Sequence, residues 1–535
     1  MRTYLAKALE GGVTQLTTLV LNQFHNESFD ILRSGVIVRP MGTEKDFRIF
    51  AKVQIIMSDL PAIAEMLAWK GYQGTKPCPI CMNCTHHKPP GGADPLHLHS
   101  PYCAPLTETS LDKFKVHSNA SLKAALVTLD NIKRTQTQAA LEFQETYVYG
   151  YTWNPYSIIT NEKFLIDIVT AVMYDWAHVY VSDGIVDAEF GTFMKMMHVA
   201  ITQHRMAHSC TYAALRTYLE RWAVPRSFSN PLHLFDAEHA KRHIKSENFG
   251  STASDMLTLA PMLSRFIKCV VHPQIVGSYL EPYVASMLAA FNVVYLLQSS
   301  KIENYLQPSN LRRAIEHHLN SFKTAYGEDA IRPKHHYALH LPSILARFGF
   351  LISTFTHERK HRAFKRYARP RTATVHFELG VLEDMLAHNT WELGHKHMAA
   401  FTTSKPTRRM LNIIREQFPD EARDAATITT HREVLANGRI VTGDIIAYVV
   451  DGRLHIGELL INTGFVYADG SATMRSIASS WAIGKGASEG GINLECRDAI
   501  MKFDTNGLKQ SFTHRMAEDR KSCFVLVPHE FLSIL

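Results

Sequence analysis

The chain has 535 residues, 57 Lys and Arg against 50 Asp and Glu, and a formal charge of +7. At 46% hydrophobic and 20% charged residues it is neither a disordered chain, a collagen-like repeat nor a small disulfide scaffold. The length points to roughly three or four domains, and the mild positive charge permits a polyanionic partner without requiring one.

The first residues, MRTYLAKALEGGVTQLTTLVLN, contain no unbroken apolar stretch and no small-residue cleavage site, so no signal peptide is expected. Residues 1–75 read as a helix, two strands (GVIVRP and RIFAKVQIIM) and a second helix, AIAEMLAWKG. Asp59 stands between strand and helix. It is either a carboxylate presented at the end of a sheet or the N-cap of the helix that follows. Residues 76–107 are rich in Pro and Gly and read as a loop. Residues 108–345 carry helical spacing at 161–183, 186–222, 254–268, 283–298 and 308–326. The apolar run at 283–297 includes Ser286 and Asn292, which makes it a buried helix and not a membrane span. Residues 346–400 continue as basic helices, and 401–428 form a polar linker. From 429 to 535 short β-branched runs alternate with Asn437-Gly438, Thr442-Gly443-Asp444, Asp451-Gly452 and Asp469-Gly470, the signature of hairpins in a small β-barrel. The fold class expected is α+β, mainly helical.

Four of the eight cysteines fall in CPICMNCTHHKPPGGADPLHLHSPYC, interleaved with histidines. Scattered thiols plus one Cys/His knot suit a metal site in a reducing compartment. Cys78 and Cys81 form a C-x2-C knuckle. With His97 and Cys103 they make C-x2-C-x15-H-x5-C, enough for a closed structural Zn²⁺ site. His99 fits as well as His97, and Cys84, His86 and His87 are further donors.

Two other clusters carry chemistry. Asp175 and His178, in YDWAH, share a helix face at i and i+3, either as a functional pair or as a structural one. Residues 347–371 concentrate positive charge, with Arg359, Lys360, Arg362, Lys365, Arg366 and Arg369 beside interleaved aromatics, as expected of a helix that follows phosphates. The same run contains His357-Glu358-Arg359-Lys360-His361, which matches the bare zinc-peptidase pattern H-E-x-x-H. Its cationic surroundings would repel Zn²⁺, so a peptidase ranks last among the readings.

Taken together, SDLPAI, PCPIC, YDWAHVYVSDG, FGSTASDMLTLAPML and RPKHHYALHLPSILARFGFLISTFTHERKHRAFKR resemble, in order and spacing over roughly residues 45–370, transposases of the CACTA and KDZ (Kyakuja-Dileera-Zisupton) type. The D-x-x-H motif falls on Asp175 and His178. The late motif falls on Lys334, His336, Phe348, Gly349, Glu358, His361 and Lys365. The resemblance implies an RNase H-like core interrupted by the zinc loop and a long helical insertion. It also implies two Mg²⁺ or Mn²⁺ ions held by carboxylates for phosphoryl transfer on double-stranded DNA, and residence in the nucleus. Asp59 and Glu358 match two of the carboxylates, and Asp175 is a further candidate. Only Asp30 and Asp46 precede Asp59, and neither ends a strand, so the expectation is an N-terminally truncated copy that binds DNA but is inactive alone. The terminal barrel resembles SH3-like and BAH-like modules and is expected to meet a protein or chromatin partner. The alternative is a non-enzymatic zinc-containing interaction scaffold.

Overall fold

A computed structural model of the chain describes residues 9–26, 30–39, 44–86, 103–203, 211–226, 228, 230–245, 248–300, 306–354, 366–368, 377–394, 403–435, 439–484, 491–519 and 521–526. The chain divides into two compact units, Met1–Val186 with Ala285–Thr354, and Asp187–Val284 with Phe355–Leu535. Helices and strands are mixed as in an α+β protein. No helix among the described residues is long and apolar enough to cross a membrane.

The first unit is mostly helical. Its Asn119–Thr135 helix is closed at the start by reciprocal hydrogen bonds of Ser118 and Ser121 and carries Lys133 and Arg134 in its last turn, both favourable at those ends. The Pro308–Tyr326 helix starts on a proline and buries Leu311, Ile315, His318, Leu319 and Phe322 at three- and four-residue steps. The Gly12–Phe24 helix is tied down by threonines: Thr14 donates to the Glu65 carbonyl and Thr18 to that of Tyr156, each at 2.7 Å.

Strand formation here falls short of the sequence expectation. β1 (Val36–Val38) pairs antiparallel with β2 (Phe47–Ile49), and most of this ribbon is exposed. The remainder of RIFAKVQIIM leaves the ladder and contributes one parallel pairing, Ile56 with Val172. β3 (Cys84–Thr85) and β4 (Ala104–Pro105) form a second, parallel pair. No described sheet of this unit exceeds two strands. β-Branched content favours a strand only where a second layer buries one face, and no described element buries a face of this ribbon.

The continuous helix expected over 161–183 is also broken. Ile168–Ala171 forms one turn, the chain extends at Val172, and a π-helical turn follows at Ala177–Val181. Asp175 accepts from the Ala177 N–H at 3.0 Å and so restarts the helix locally. Gly184 then turns the chain where a Cβ would lie 2.2 Å from the Tyr180 carbonyl carbon.

The second unit joins helices to an extended sheet. The Ala237–Lys245 helix packs His243 on Phe249, ring centroids 4.3 Å apart, and Phe249 meets Phe190 edge-on at 4.8 Å. The strands are β5 (Thr403–Ser404), β6 (Thr427–His431), β7 (Glu433–Leu435), β8 (Arg439–Val441), β9 (Ile445–Val450), β10 (Arg453–Val466), β11 (Ala472–Ile483), β12 (Gly491–Asp504), β13 (Leu508–Phe512), β14 (His514–Met516) and β15 (Ser522–Leu526). β7 and β8 pair separately. The large sheet runs β13-β9-β10-β11-β12-β15-β14, with β6 on β10 and β5 on β6. Its two ends, β13 and β14, are separated in the chain only by Thr513, so one bent strand curls the sheet round on itself. Asp451 and Gly452 join β9 to β10 with φ of 48° and 74°, as a two-residue type I′ hairpin requires. Inside lie Ile445, Ala447, Ile456, Trp481, Leu494 and Val525. The Arg408–Gln417 helix adds Ile414 beside Phe418, Phe465 and Ile477.

Candidate metal centre

Pro79 lies inside the Cys78–Cys81 knuckle, and three backbone hydrogen bonds fix the loop around it. Met82 N–H donates to Lys115, His117 N–H to Ile80 at 2.8 Å, and Ala104 N–H to Asn83. Far along the chain, Pro333 opens the Pro333–Ala338 helix, and Leu339 and His340 keep helical dihedrals beyond its end. His336 and His340 are therefore one turn apart on one face.

These two pieces meet. The ligand atoms of Cys78, Cys81, His336 and His340 all lie within 4.8 Å of one another, and all four residues are buried. His340 Nε2 is 3.6 Å from Cys78 Sγ, 3.4 Å from Cys81 Sγ and 3.2 Å from His336 Nε2. A tetrahedral ion with bonds of about 2.3 Å to sulfur and about 2.05 Å to nitrogen sets S···N edges of about 3.6 Å and N···N edges of about 3.3 Å. The three edges at His340 already match these values, and the remaining pairs lie within 4.8 Å, so the group could hold a metal ion.

The surroundings favour thiolate at one sulfur. Burial pushes the Cys78 thiol up, but the hydrogen bond from Cys81 and the neighbouring imidazoles of His336 and His340 outweigh it, and Cys78 titrates well below an ordinary thiol. Burial, together with the facing Cys78, pushes Cys81 well up. Tyr174 Oη lies 3.4 Å from Cys78 Sγ. Burial and that same sulfur push the Tyr174 phenol up, so Tyr174 stays protonated beside the sulfur. Tyr337 stacks on Tyr174 at 4.9 Å and donates to the Pro77 carbonyl at 2.5 Å, while Tyr151 donates to that of Pro79 at 2.5 Å. Phe114 lies edge-on to His336 at 4.3 Å. One position of the outer shell is open: His336 Nδ1 is buried without a partner.

Of the four metal ligands expected from the local knot, Cys78 and Cys81 belong to this group. Cys103 does not. It lies near Cys84 and the buried Lys76, whose amino group feels both sulfurs. His97, like His99 and His87, lies outside the described residues, and His86 is not part of the group. His336 and His340, more than 250 positions downstream, complete the group, and local spacing does not tie them to the knuckle. The signal was present in KHHYALH, a His pair at i,i+4 on a short proline-opened helix.

One residue beyond Tyr174 stands Asp175, whose side chain is 1% exposed. It accepts from the Ala177 N–H at Oδ1, and from His178 Nδ1 (2.5 Å) and the Thr354 hydroxyl at Oδ2. Burial alone would raise its pKa, but the bonds from His178, Thr354 and Ala177 outweigh that and hold it below the usual carboxylate value. Asp59 is exposed and caps the Leu60–Leu67 helix, accepting from the Ala62 N–H at 2.9 Å. Asp59 and Asp175 share one relationship. Each stands three residues beyond the Ile56–Val172 parallel pairing, so both chain segments carry their carboxylate off in the same direction. Asp30 and Asp46 are engaged by Arg33 and Arg39. Glu358, His357, His361, Arg359, Lys360, Arg362, Lys365 and Arg369 lie outside the described residues, and Arg366 is exposed.

No family model matches the chain, and neither a curated protein nor a solved structure does.

Proposed function

We propose that the chain is a DNA-binding protein of the transposase pattern, with a structural Zn²⁺ held by Cys78, Cys81, His336 and His340. The observation that supports this reading is convergence. PCPIC, YDWAH and KHHYALH resemble successive motifs of one family, and their residues surround a single buried point, with Tyr174 of the second motif touching Cys78 of the first and stacking on Tyr337 of the third. Two thiols and two imidazoles gathered within 4.8 Å of one another suit zinc above harder cations. Four protein ligands leave no open position, so the ion would contribute folding free energy and not catalysis.

Mg²⁺ or Mn²⁺ would belong with Asp59, Asp175 and Glu358. Asp175 is buried and already accepts at both oxygens, so an incoming ion would have to enter a closed site and compete with those hydrogen bonds. That favours a protein that holds DNA through its basic 359–369 run without cutting it, in the nucleus, with its terminal sheet free for a protein or chromatin partner. The same engagement of Asp175 supports the second reading, a zinc-containing interaction scaffold.

The test uses the full chain. Metal analysis is expected to give one zinc per chain, lost in Cys78→Ser and in His340→Ala. Binding to duplex DNA, followed by fluorescence anisotropy, is expected to weaken with salt. Replacing Arg359, Lys360 and Arg362 by Ala is expected to flatten the log–log salt slope by roughly 2.7, at about 0.9 per phosphate contact. Absence of duplex binding at low salt would leave the scaffold reading. Nicking with Mn²⁺ that Asp59→Ala and Glu358→Ala abolish would show an active enzyme and overturn the silent one.

A further inference from the structure

The Phe377–Gly394 helix belongs to the second unit and faces two ways. Gly380 and Val381 are buried, Val381 at 0% exposure. On the outer side Leu379, Leu382 and Leu386 are 54%, 59% and 67% exposed, and Asn389 continues the line. Single exposed leucines are ordinary. Three in register at steps of three and four make the seam that one helix presents to another, and a polar residue in such a seam fixes register.

The charge of this helix sets it apart from the rest of the chain. Its sequence holds Glu378, Glu383, Asp384 and Glu392 and no Lys or Arg, within a protein of net charge +7. Glu383 is exposed, four residues after Leu379 and three before Leu386, so it borders the leucine line. A second copy of the same helix would set acid against acid across the seam. A strand would not match the three–four spacing. The structure assigns this face to a partner of one chemistry, an amphipathic helix with apolar residues at i, i+3 and i+7 flanked by Lys or Arg. Association then buries the leucines and sets a cation against the exposed Glu383.

The probe is a fluorescein-labelled 18-residue helix of Leu and Lys with that spacing, titrated with the full-length protein at about 0.1 M salt. Saturable binding is expected. It should weaken at least tenfold in Leu382→Ser/Leu386→Ser and in Glu383→Lys, and be absent for the same peptide with Glu in place of Lys. Both variants change exposed side chains, and unchanged circular dichroism and melting show that the fold is intact. Equal binding by the double Ser variant, or no saturable binding, overturns the proposal. A protein dimer in sedimentation equilibrium that the double Ser variant abolishes also overturns it, by giving the face to a second copy.

Discussion

The two units are held together by different means. In the first, the described strands are at most three residues long, and distant stretches are joined by side chains: two cysteines, two histidines, and tyrosines that donate to the carbonyls of Pro77 and Pro79. In the second, backbone ladders do this work, with β10 and β12 fourteen residues each and β10 paired to both β9 and β11. A ladder spreads its stability over many weak, repeated bonds. A side-chain knot, added to an apolar core that includes Met173, Trp176, Phe291 and Leu319, concentrates part of the stability in a few atoms.

That contrast can be broken in four ways, from largest effect to smallest. Removing one ligand, as in His340→Ala, is expected to destabilise the first unit by about 3 kcal/mol or more, because the metal's binding free energy is folding free energy. Hydrogen exchange should then rise in residues 78–86 and 333–348 and stay unchanged in β9–β12. Uniform loss of protection would mean that the units do not differ as described.

Phe465 is fully buried against Phe418 and Ile477. Phe465→Ala is expected to cost about 3–5 kcal/mol in the sheet while the metal content per chain stays the same. Loss of metal in this variant would contradict the division of labour.

Acid should separate the units as well. Burial, with help from His239 and Arg242, pushes His243 down to about 4. The unfolded chain takes up that proton near pH 6.5 and the folded one does not until about pH 4. Stability of the second unit is therefore full above pH 6.5 and falls through that window, by on the order of 1–3 kcal/mol. Asp175 acts later: its lowered pKa stabilises the first unit above the ordinary carboxylate value, and that contribution is lost as pH falls further. His243→Phe should flatten the pH 4–6.5 slope in urea melts, and an unchanged slope would assign it elsewhere.

The smallest effect is at Asp59. Asn caps a helix about as well as Asp, so Asp59→Asn is expected to shift stability by only a few tenths of a kcal/mol. A loss well above 1 kcal/mol would show that the carboxylate does more than cap.

Legibility in the sequence followed the range of the interactions. The Asp451-Gly452 turn could be read because two adjacent residues determine it, and the Pro308–Tyr326 helix because its apolar spacing repeats within itself. The Cys78–Cys81 knuckle was legible for the same reason. Its partners were not, because i,i+4 histidines on a helix do not reveal which distant loop they face. The strands expected at GVIVRP and RIFAKVQIIM form only as the short pair Val36–Val38 and Phe47–Ile49, for the complementary reason. Val36, Val38, Phe47 and Ile49 have strand chemistry, but a sheet needs further strands or a covering layer, and local composition does not encode either. Asp59 is ambiguous in the sequence, and its capping role is the part that geometry displays.

The spacing of the four ligands has a consequence for how the chain is made. Cys81 and His340 are 259 positions apart. At about 5–20 residues per second, roughly 13–50 s of synthesis separate the emergence of the knuckle from that of the histidines. Throughout that interval the nascent chain displays a half-built site of two thiols with Cys84 close by, open to oxidation or to a metal held too loosely. Ribosome-bound chains stalled before residue 333 should accordingly surrender zinc to a chelator much faster than chains stalled beyond residue 354. Metal supply during translation, and not only after it, would then set the yield of folded protein.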